Sequence, residues 1–188
     1  PGGFDGAYSY FGATGFTQAS TPSSWKGLVA RASAKGGLFV PCVAPGYDDL
    51  RVRPWNGANS RGREAGAYYD RSWRAAIESG AARVAVTSFN EWHEGTQIET
   101  AAAAFTPDRP GVTTYLAYPS PEFYLTKTAA WVERFVAARR RAIPPHINRD
   151  AIRLRPLLHN TGSRMFTSTA KQRGRLHAEV PDLFHVAV

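Results

Sequence analysis

Two glutamates three positions apart, Glu91 and Glu94, are the residues of this sequence best suited to acid–base chemistry. They follow a short apolar segment at residues 83–89, and Trp, His and Asn residues are interleaved with them. Hydrolysis of a glycosidic bond needs two carboxyl groups, one protonated and one ionised. Because two nearby carboxylates do not both ionise cheaply, one should keep its proton near neutral pH. The position after a buried strand and the interleaved Trp, His and Asn residues fit a glycosidase pair, and two solvated glutamates on a helical turn remain the alternative.

Several residues around this pair could bind a sugar. Aromatic rings offer flat apolar faces to sugar rings, and guanidinium and amide groups hydrogen-bond to hydroxyls. The predicted substrate-binding residues are Tyr10, Arg53, Trp55, Asn90, Trp92 and His93. For Asp48, Asp49 and Arg51, a structural salt bridge that ties down a long loop is the favoured interpretation instead.

A metal site is not predicted. The His93-Glu94 pair could begin the motif of a zinc protease helix, but Gln97 stands where that motif needs a second histidine. The single cysteine, Cys42, excludes an internal disulfide and a cysteine-based zinc cluster. We expect Cys42 to be an inert buried thiol, and we expect no cofactor.

Short apolar segments alternate with helical patterns along the chain. This order predicts a parallel α/β fold, in which functional groups lie on loops at the carboxyl ends of the strands. Tyr8 is expected in the core, and Tyr10 near the carboxyl end of its strand. The predicted strands are residues 4–11, 38–43 and 83–89, and the predicted helices are residues 21–35, 62–79 and 120–141.

The excess positive charge lies near the C-terminus. The net charge is +8, and residues 139–188 hold 10 basic against 3 acidic residues. The pattern predicts a domain at residues 1–141 and a basic, irregular, flexible extension at residues 142–188. Arginines 139–141 have no interleaved aromatic residues, so a solvated helix end is favoured over a nucleic-acid site.

The sequence resembles glycoside hydrolase family 99, the glycoprotein endo-α-1,2-mannosidases, over about residues 3–141. The motifs that carry the resemblance are FDGAYSYF at residues 4–11, PGYD at 45–48, RPWN at 53–56 and TSFNEWHEGTQIE at 87–99. The resemblance implies a (β/α)8 barrel, which typically needs about 250 residues. A chain of 188 residues is therefore expected to supply the C-terminal part of the barrel, about three βα units, without the N-terminal half.

The resemblance also implies an activity. Family members cleave internal α-1,2-mannosidic bonds of glucosylated high-mannose N-glycans with retention and without a metal. Glu91 would be the base toward the substrate's 2-hydroxyl and Glu94 the acid and then the base, while Tyr10, Arg53 and Asn90 would line the cleavage subsite. A Golgi location would follow, with a membrane anchor outside this chain. The alternatives are a non-catalytic carbohydrate-binding half-barrel and an inactive fragment whose basic tail binds anionic partners.

Overall fold

Helices and parallel strands alternate along the chain. The computed structural model describes residues 3–101 and 118–142, and the backbone of residues 156–159 and 184–187. Two short 3-10 turns, Gly57–Asn59 and Glu64–Gly66, precede the helix Ala67–Glu78. The elements are β1 (Gly6–Tyr8), α1 (Pro22–Ser33), β2 (Leu38–Val40), β3 (Cys42–Val43), α2 (Ala67–Glu78), β4 (Val84–Thr87), α3 (Phe123–Ala142), β5 (Pro156–His159) and β6 (Phe184–Ala187).

The strands pair in parallel, which confirms the predicted α/β class. The predicted strand at residues 38–43 is divided at Pro41, which has no backbone N–H to donate. Its first part, β2, pairs with β1, and its second part, β3, pairs with β4. The loops after β1, β3 and β4 therefore open from neighbouring strands.

Strand β1 is shorter and more exposed than the sequence predicts. It spans Gly6–Tyr8, and all three residues are exposed. The prediction that Tyr8 belongs to the core is wrong, since 62% of it is accessible. The alternation of aromatic and small residues predicts a strand, but burial also needs an element that covers it. Within the described residues, β1 pairs with β2 alone.

The helices cover the strands and pack on one another. In α1, Pro22 lies in the first turn and the helix ends before Gly36, whose φ of +72° suits glycine. Helices α2 and α3 meet through the stacked rings of Trp73 and Trp131, 6.3 Å apart. Asp70 of α2 accepts hydrogen bonds from two α3 side chains, that of Lys127 and that of Trp131.

Two helices begin later than predicted. Helix α2 begins at Ala67 rather than near residue 62, because Gly66 and Ala65 have positive φ angles of 92° and 47° that end the preceding 3-10 turn. Helix α3 begins at Phe123, three residues after the predicted start. The core nevertheless follows the predicted periodicity of α2, since Tyr69, Trp73 and Ala76 are fully buried.

Part of the predicted irregular tail has regular backbone structure. The short strands β5 and β6 pair with each other in parallel, and β6 also pairs with β4. Four residues are too few for a periodic sequence signal, yet they can satisfy the backbone groups of a strand edge. The rest of residues 143–188 lies outside the described residues, so the boundary at residue 141 stays a prediction. None of the described helices is both long and apolar enough to span a bilayer.

Candidate active site

A cavity of about 300 Å³ lies where the loops after β1, β3 and β4 meet. Tyr10 enters it from the segment after β1, and Glu94 enters it from the loop after β4. Asp49, Arg53 and Asn56 enter it from the loop after β3. Parallel strands place the side chains that follow them at one edge of the sheet, so residues distant in the sequence converge there.

Four of the predicted site residues line this cavity: Tyr10, Arg53, Trp55 and Glu94. Trp55 is 81% exposed, so its ring is open to a ligand. A guanidinium nitrogen of Arg53, Nη1, lies 3.8 Å from Glu94 Oε1. The aromatic residues Phe11 and Phe16 also line the cavity, and the sequence did not single them out.

Glu91 lies close enough to Glu94 and Tyr10 to act on both electrostatically. The pKa of Glu94 is raised, first by burial and then by the negative charge of Glu91, while Arg53 acts in the opposite direction. Burial, Glu94 and Glu91 together raise the pKa of Tyr10 to about 12. The cavity thus contains a phenol that keeps its proton at neutral pH and a carboxyl group whose pKa is shifted toward retention of its proton.

The other predicted binding residues do not line the cavity. Asn90 and His93 are exposed residues of the loop that follows β4. The indole N–H of Trp92 donates to the Glu99 carboxylate, and its ring packs against the core. The His93 backbone N–H donates to Glu91 Oε1 over 3.1 Å. Substrate binding by Asn90, Trp92 and His93 stays a prediction.

The glutamate loop, residues 88–97, carries Glu91 and Glu94 and is closed at its base by hydrogen bonds. The Ser88 backbone N–H donates to Thr96 O over 2.8 Å, and the two hydroxyls are also 2.8 Å apart. Ser88 Oγ accepts the backbone N–H of Glu91 over 2.9 Å. The loop is joined to its neighbour by the Asp48 N–H, which donates to Glu94 O over 2.8 Å. The backbone of both glutamates is therefore held at several points.

A buried arginine beneath the loop was not predicted. Arg63 is 4% exposed, and its Nη2 donates to Gly95 O over 2.9 Å and to Gln97 O over 2.8 Å. Its guanidinium lies 4.9 Å from the centre of the Tyr118 ring and 4.6 Å from that of Tyr124. The sequence offered no signal for this role, because Arg63 is 32 positions from Gly95.

Asp49 is the centre of a second network. Its side chain is fully buried and accepts hydrogen bonds from the Tyr47 hydroxyl, Arg53 Nη1 and Asn56 Nδ2, at 2.9 to 3.0 Å. Burial raises the pKa of Asp49, but these hydrogen bonds and the charge of Arg53 bring it below its ordinary value. The predicted structural salt bridge is thus confirmed for Asp49, with Arg53 as partner. Asp48 instead accepts the Leu50 N–H over 3.0 Å.

The single thiol of the chain and the acidic and histidine side chains of its described part bear on metal and thiol chemistry. There, no three His, Cys, Asp or Glu side chains are grouped so that they could hold a metal ion. Cys42 is buried beside Thr87, and burial raises the pKa of its thiol to about 12. A thiol that stays protonated is a poor nucleophile.

Gly95 is required by its backbone geometry. Its φ is +62°, and a Cβ at this position would lie 2.9 Å from Asp48 O. We expect Gly95→Ala to lower the free energy of unfolding by about 2 kcal/mol, since strain and a backbone clash add. Gly80→Ala is the matched control, because Gly80 has a φ of +74° and no atom near its Cβ position. Equal urea midpoints for the two variants would contradict the clash.

Comparisons with known proteins identify related sequences and a related structure. The family model described as "Glycosyl hydrolase family 99" matches residues 1–137. A mouse protein named glycoprotein endo-alpha-1,2-mannosidase is 43% identical over 139 residues, which are 73% of this chain and 29% of that protein. A human protein named glycoprotein endo-alpha-1,2-mannosidase-like protein is 44% identical over 136 residues, again covering 29% of the relative.

A solved structure matches the same part of the chain. The GH99 endo-alpha-mannosidase from Bacteroides thetaiotaomicron, in complex with BIS-TRIS-propane, has 52% sequence identity and a TM-score of 0.67. The match covers 72% of this chain and 42% of that one. The chain thus spans less than a third of the two curated relatives and about two fifths of the bacterial structure. On the family match and these identities, the chain belongs to glycosyl hydrolase family 99.

Proposed function

We propose that the cavity is the cleavage site of an endo-acting mannosidase, which hydrolyses internal α-1,2-mannosidic bonds in glucosylated high-mannose N-glycans. The observation that carries the proposal is the convergence of Glu94, Tyr10 and Arg53 at one cavity, with Glu91 close enough to raise the pKa of Glu94, in a chain that belongs to this family. The exposed ring of Trp55 at the cavity supplies an apolar face for a sugar ring.

The proposed chemistry retains the anomeric configuration and uses the substrate's own hydroxyl. Glu91 takes the proton of the 2-hydroxyl, whose oxygen attacks the anomeric carbon while Glu94 protonates the departing glycosidic oxygen. The product of this step is a 1,2-anhydro sugar. Glu94, now a carboxylate, then takes a proton from water, which opens the three-membered ring at the anomeric carbon, and Glu91 returns its proton to the 2-oxygen. The raised pKa of Glu94 supports its role as the acid.

We place this chain in the C-terminal part of a (β/α)8 barrel. The parallel order of β1 to β4, with helices between them, supports this placement. The exposure of β1 and Tyr8 also supports it, because a closed barrel would pair and cover that edge. The remaining barrel strands would then come from sequence outside this chain.

The pH dependence of cleavage should identify the acid. Glu94 can protonate the leaving oxygen only in its protonated form, and burial and Glu91 raise its pKa. We therefore expect kcat/KM to fall as pH rises through the pKa of Glu94. As the pH is raised, cleavage should weaken at a lower pH than the one at which the protein unfolds. Circular dichroism at each pH measures the folded fraction. A rate that stays level across the pH range in which the Glu94 carboxyl group titrates by NMR would contradict Glu94 as the acid.

The direct test is cleavage of a glucosylated high-mannose glycan. The chain is incubated with the glycan, alone and joined to the remaining barrel strands taken from a family relative, and released di- or trisaccharide is measured by mass spectrometry. A product with mannose at its reducing end supports the proposal if NMR shows that the anomeric configuration is retained. Absence of product from the completed barrel would refute it.

A Golgi location is part of the proposal and rests on the family resemblance alone. Its test is co-localisation of the complete protein with a Golgi marker in its own cells. A uniform distribution through the cell would refute this part.

A further inference from the structure

The buried carboxylate of Asp49 connects three polar side chains that line the candidate site. Tyr47, Arg53 and Asn56 all donate hydrogen bonds to it, and all three face the same cavity. Asn56 Nδ2 reaches both oxygens of Asp49, at 3.0 and 2.9 Å. A fully buried carboxylate is tolerated only when it is paired and hydrogen-bonded, as it is here.

Arg53 lies between this carboxylate and Glu94. Its Nη1 is 2.9 Å from Asp49 Oδ2 and 3.8 Å from Glu94 Oε1. The Arg53 side chain is 47% exposed, so packing alone does not fix its direction. The hydrogen bond to Asp49 therefore holds the guanidinium over the cavity.

We propose that Asp49 is a positioning residue for the reaction: it aims Arg53 and Asn56 at the sugar hydroxyls and offsets the positive charge of Arg53 beside Glu94. The inference rests on the proposed function for its link to cleavage. Without Asp49, Arg53 would pair with Glu94 directly and stabilise the carboxylate form of the acid.

The electrostatic surroundings of Glu94 agree with this role. The charged groups that act on its pKa are Glu91 and Asp49, which raise it, and Arg53, which lowers it. Burial is the largest cause of the raised pKa. Tyr10 and Tyr47 also face Glu94, and the negative charge of Glu94 contributes to their own raised pKa values, so both remain neutral phenols.

The test compares Asp49→Asn with Asp48→Asn in the full chain. Both variants remove one negative charge from neighbouring residues, and the asparagine at position 48 keeps an oxygen that can accept the Leu50 N–H. The carboxyl carbon of Glu94 is titrated by NMR without substrate, with its signal assigned through Glu94→Gln. We expect Glu94 to titrate at lower pH in Asp49→Asn and at its wild-type pH in Asp48→Asn.

A second readout follows the side chain of Arg53. Its Nε–H signal should shift in Asp49→Asn, because the guanidinium changes its partner from Asp49 to Glu94, and should keep its wild-type position in Asp48→Asn. In the active protein, kcat/KM should fall by about 100-fold for Asp49→Asn, as for a misplaced catalytic group. The basic limb of the pH–rate profile should also move to lower pH. A purely structural Asp49 would lower the yield of folded protein but leave the Glu94 titration unchanged, and that result would overturn the inference.

Asn at a fully buried aspartate position could prevent folding, which circular dichroism would reveal. Arg53→Gln then supplies the deciding measurement, because its side chain is half exposed and the buried Asp49 remains. Removal of the Arg53 charge should raise the pH at which Glu94 titrates, and an unchanged titration would overturn the inference. The titration needs no turnover, so a wild type that cleaves no glycan refutes the proposed function without affecting this result.

Discussion

Glu91→Gln is expected to lower kcat by about 1,000-fold, the middle of the range for loss of a general base or acid. Glutamine keeps the shape of the side chain but cannot take the proton of the 2-hydroxyl. The variant should bind the glycan as the wild type does, because the cavity walls formed by Tyr10, Arg53 and Trp55 are untouched. Single-turnover cleavage and isothermal titration calorimetry measure the two effects separately.

Glu78→Gln is the matched control for this substitution. Glu78 is an exposed residue in the last turn of α2, away from the cavity, and the chemical change is the same. We expect its kcat and urea midpoint to match those of the wild type. If Glu91→Gln retained full activity, Glu91 would not be the base. If the wild type bound glycan but never cleaved it, the carbohydrate-binding alternative would replace the enzyme.

Arg63→Met is expected to lower the free energy of unfolding by about 3 kcal/mol. Methionine fills much of the same space but cannot donate to Gly95 O and Gln97 O, and it loses the charge–ring contacts with Tyr118 and Tyr124. Hydrogen bonds from a charged donor contribute about 1.5 to 3 kcal/mol each. Relief of the buried charge offsets part of this loss.

Activity should fall further than stability alone explains, because Gly95 directly follows Glu94. Urea denaturation measures the stability. The value of kcat is measured without denaturant, at a temperature where the variant is fully folded. Arg71→Met is the control: Arg71 forms an exposed ion pair with Glu64, and such pairs contribute at most about 1 kcal/mol. Equal urea midpoints for Arg63→Met and the wild type would contradict a supporting role for Arg63.

The helices and the glutamate loop could be predicted because each depends on a continuous stretch of sequence. Pro22 and Gly36 bracket α1 through their own backbone preferences, and the burial of α2 follows its helical periodicity. The paired glutamates lie within a single motif at residues 87–99, so their proximity needs no knowledge of the fold. The same local logic predicted that Tyr10 would follow a strand toward the site.

The errors concern contacts that the local sequence does not contain. The exposure of Tyr8 depends on whether another strand covers β1, which no pattern within residues 4–11 can state. The division of the strand at Pro41 reflects two different partners, β1 and β4. Strands β5 and β6 were missed because four residues carry no periodicity, and they form by pairing with an edge that lies far away in the sequence.

By itself, therefore, the sequence determined the family, the α/β class and the pair Glu91 and Glu94, because motifs and periodicities are properties of neighbouring residues. The tertiary structure alone decided how side chains from other loops contact the pair. Arg63 reaches the glutamate loop from 32 positions away, and Arg53 reaches Glu94 from the loop after another strand. Such contacts arise from the packing of parallel strands side by side, which brings their carboxyl ends together whatever their separation in the chain.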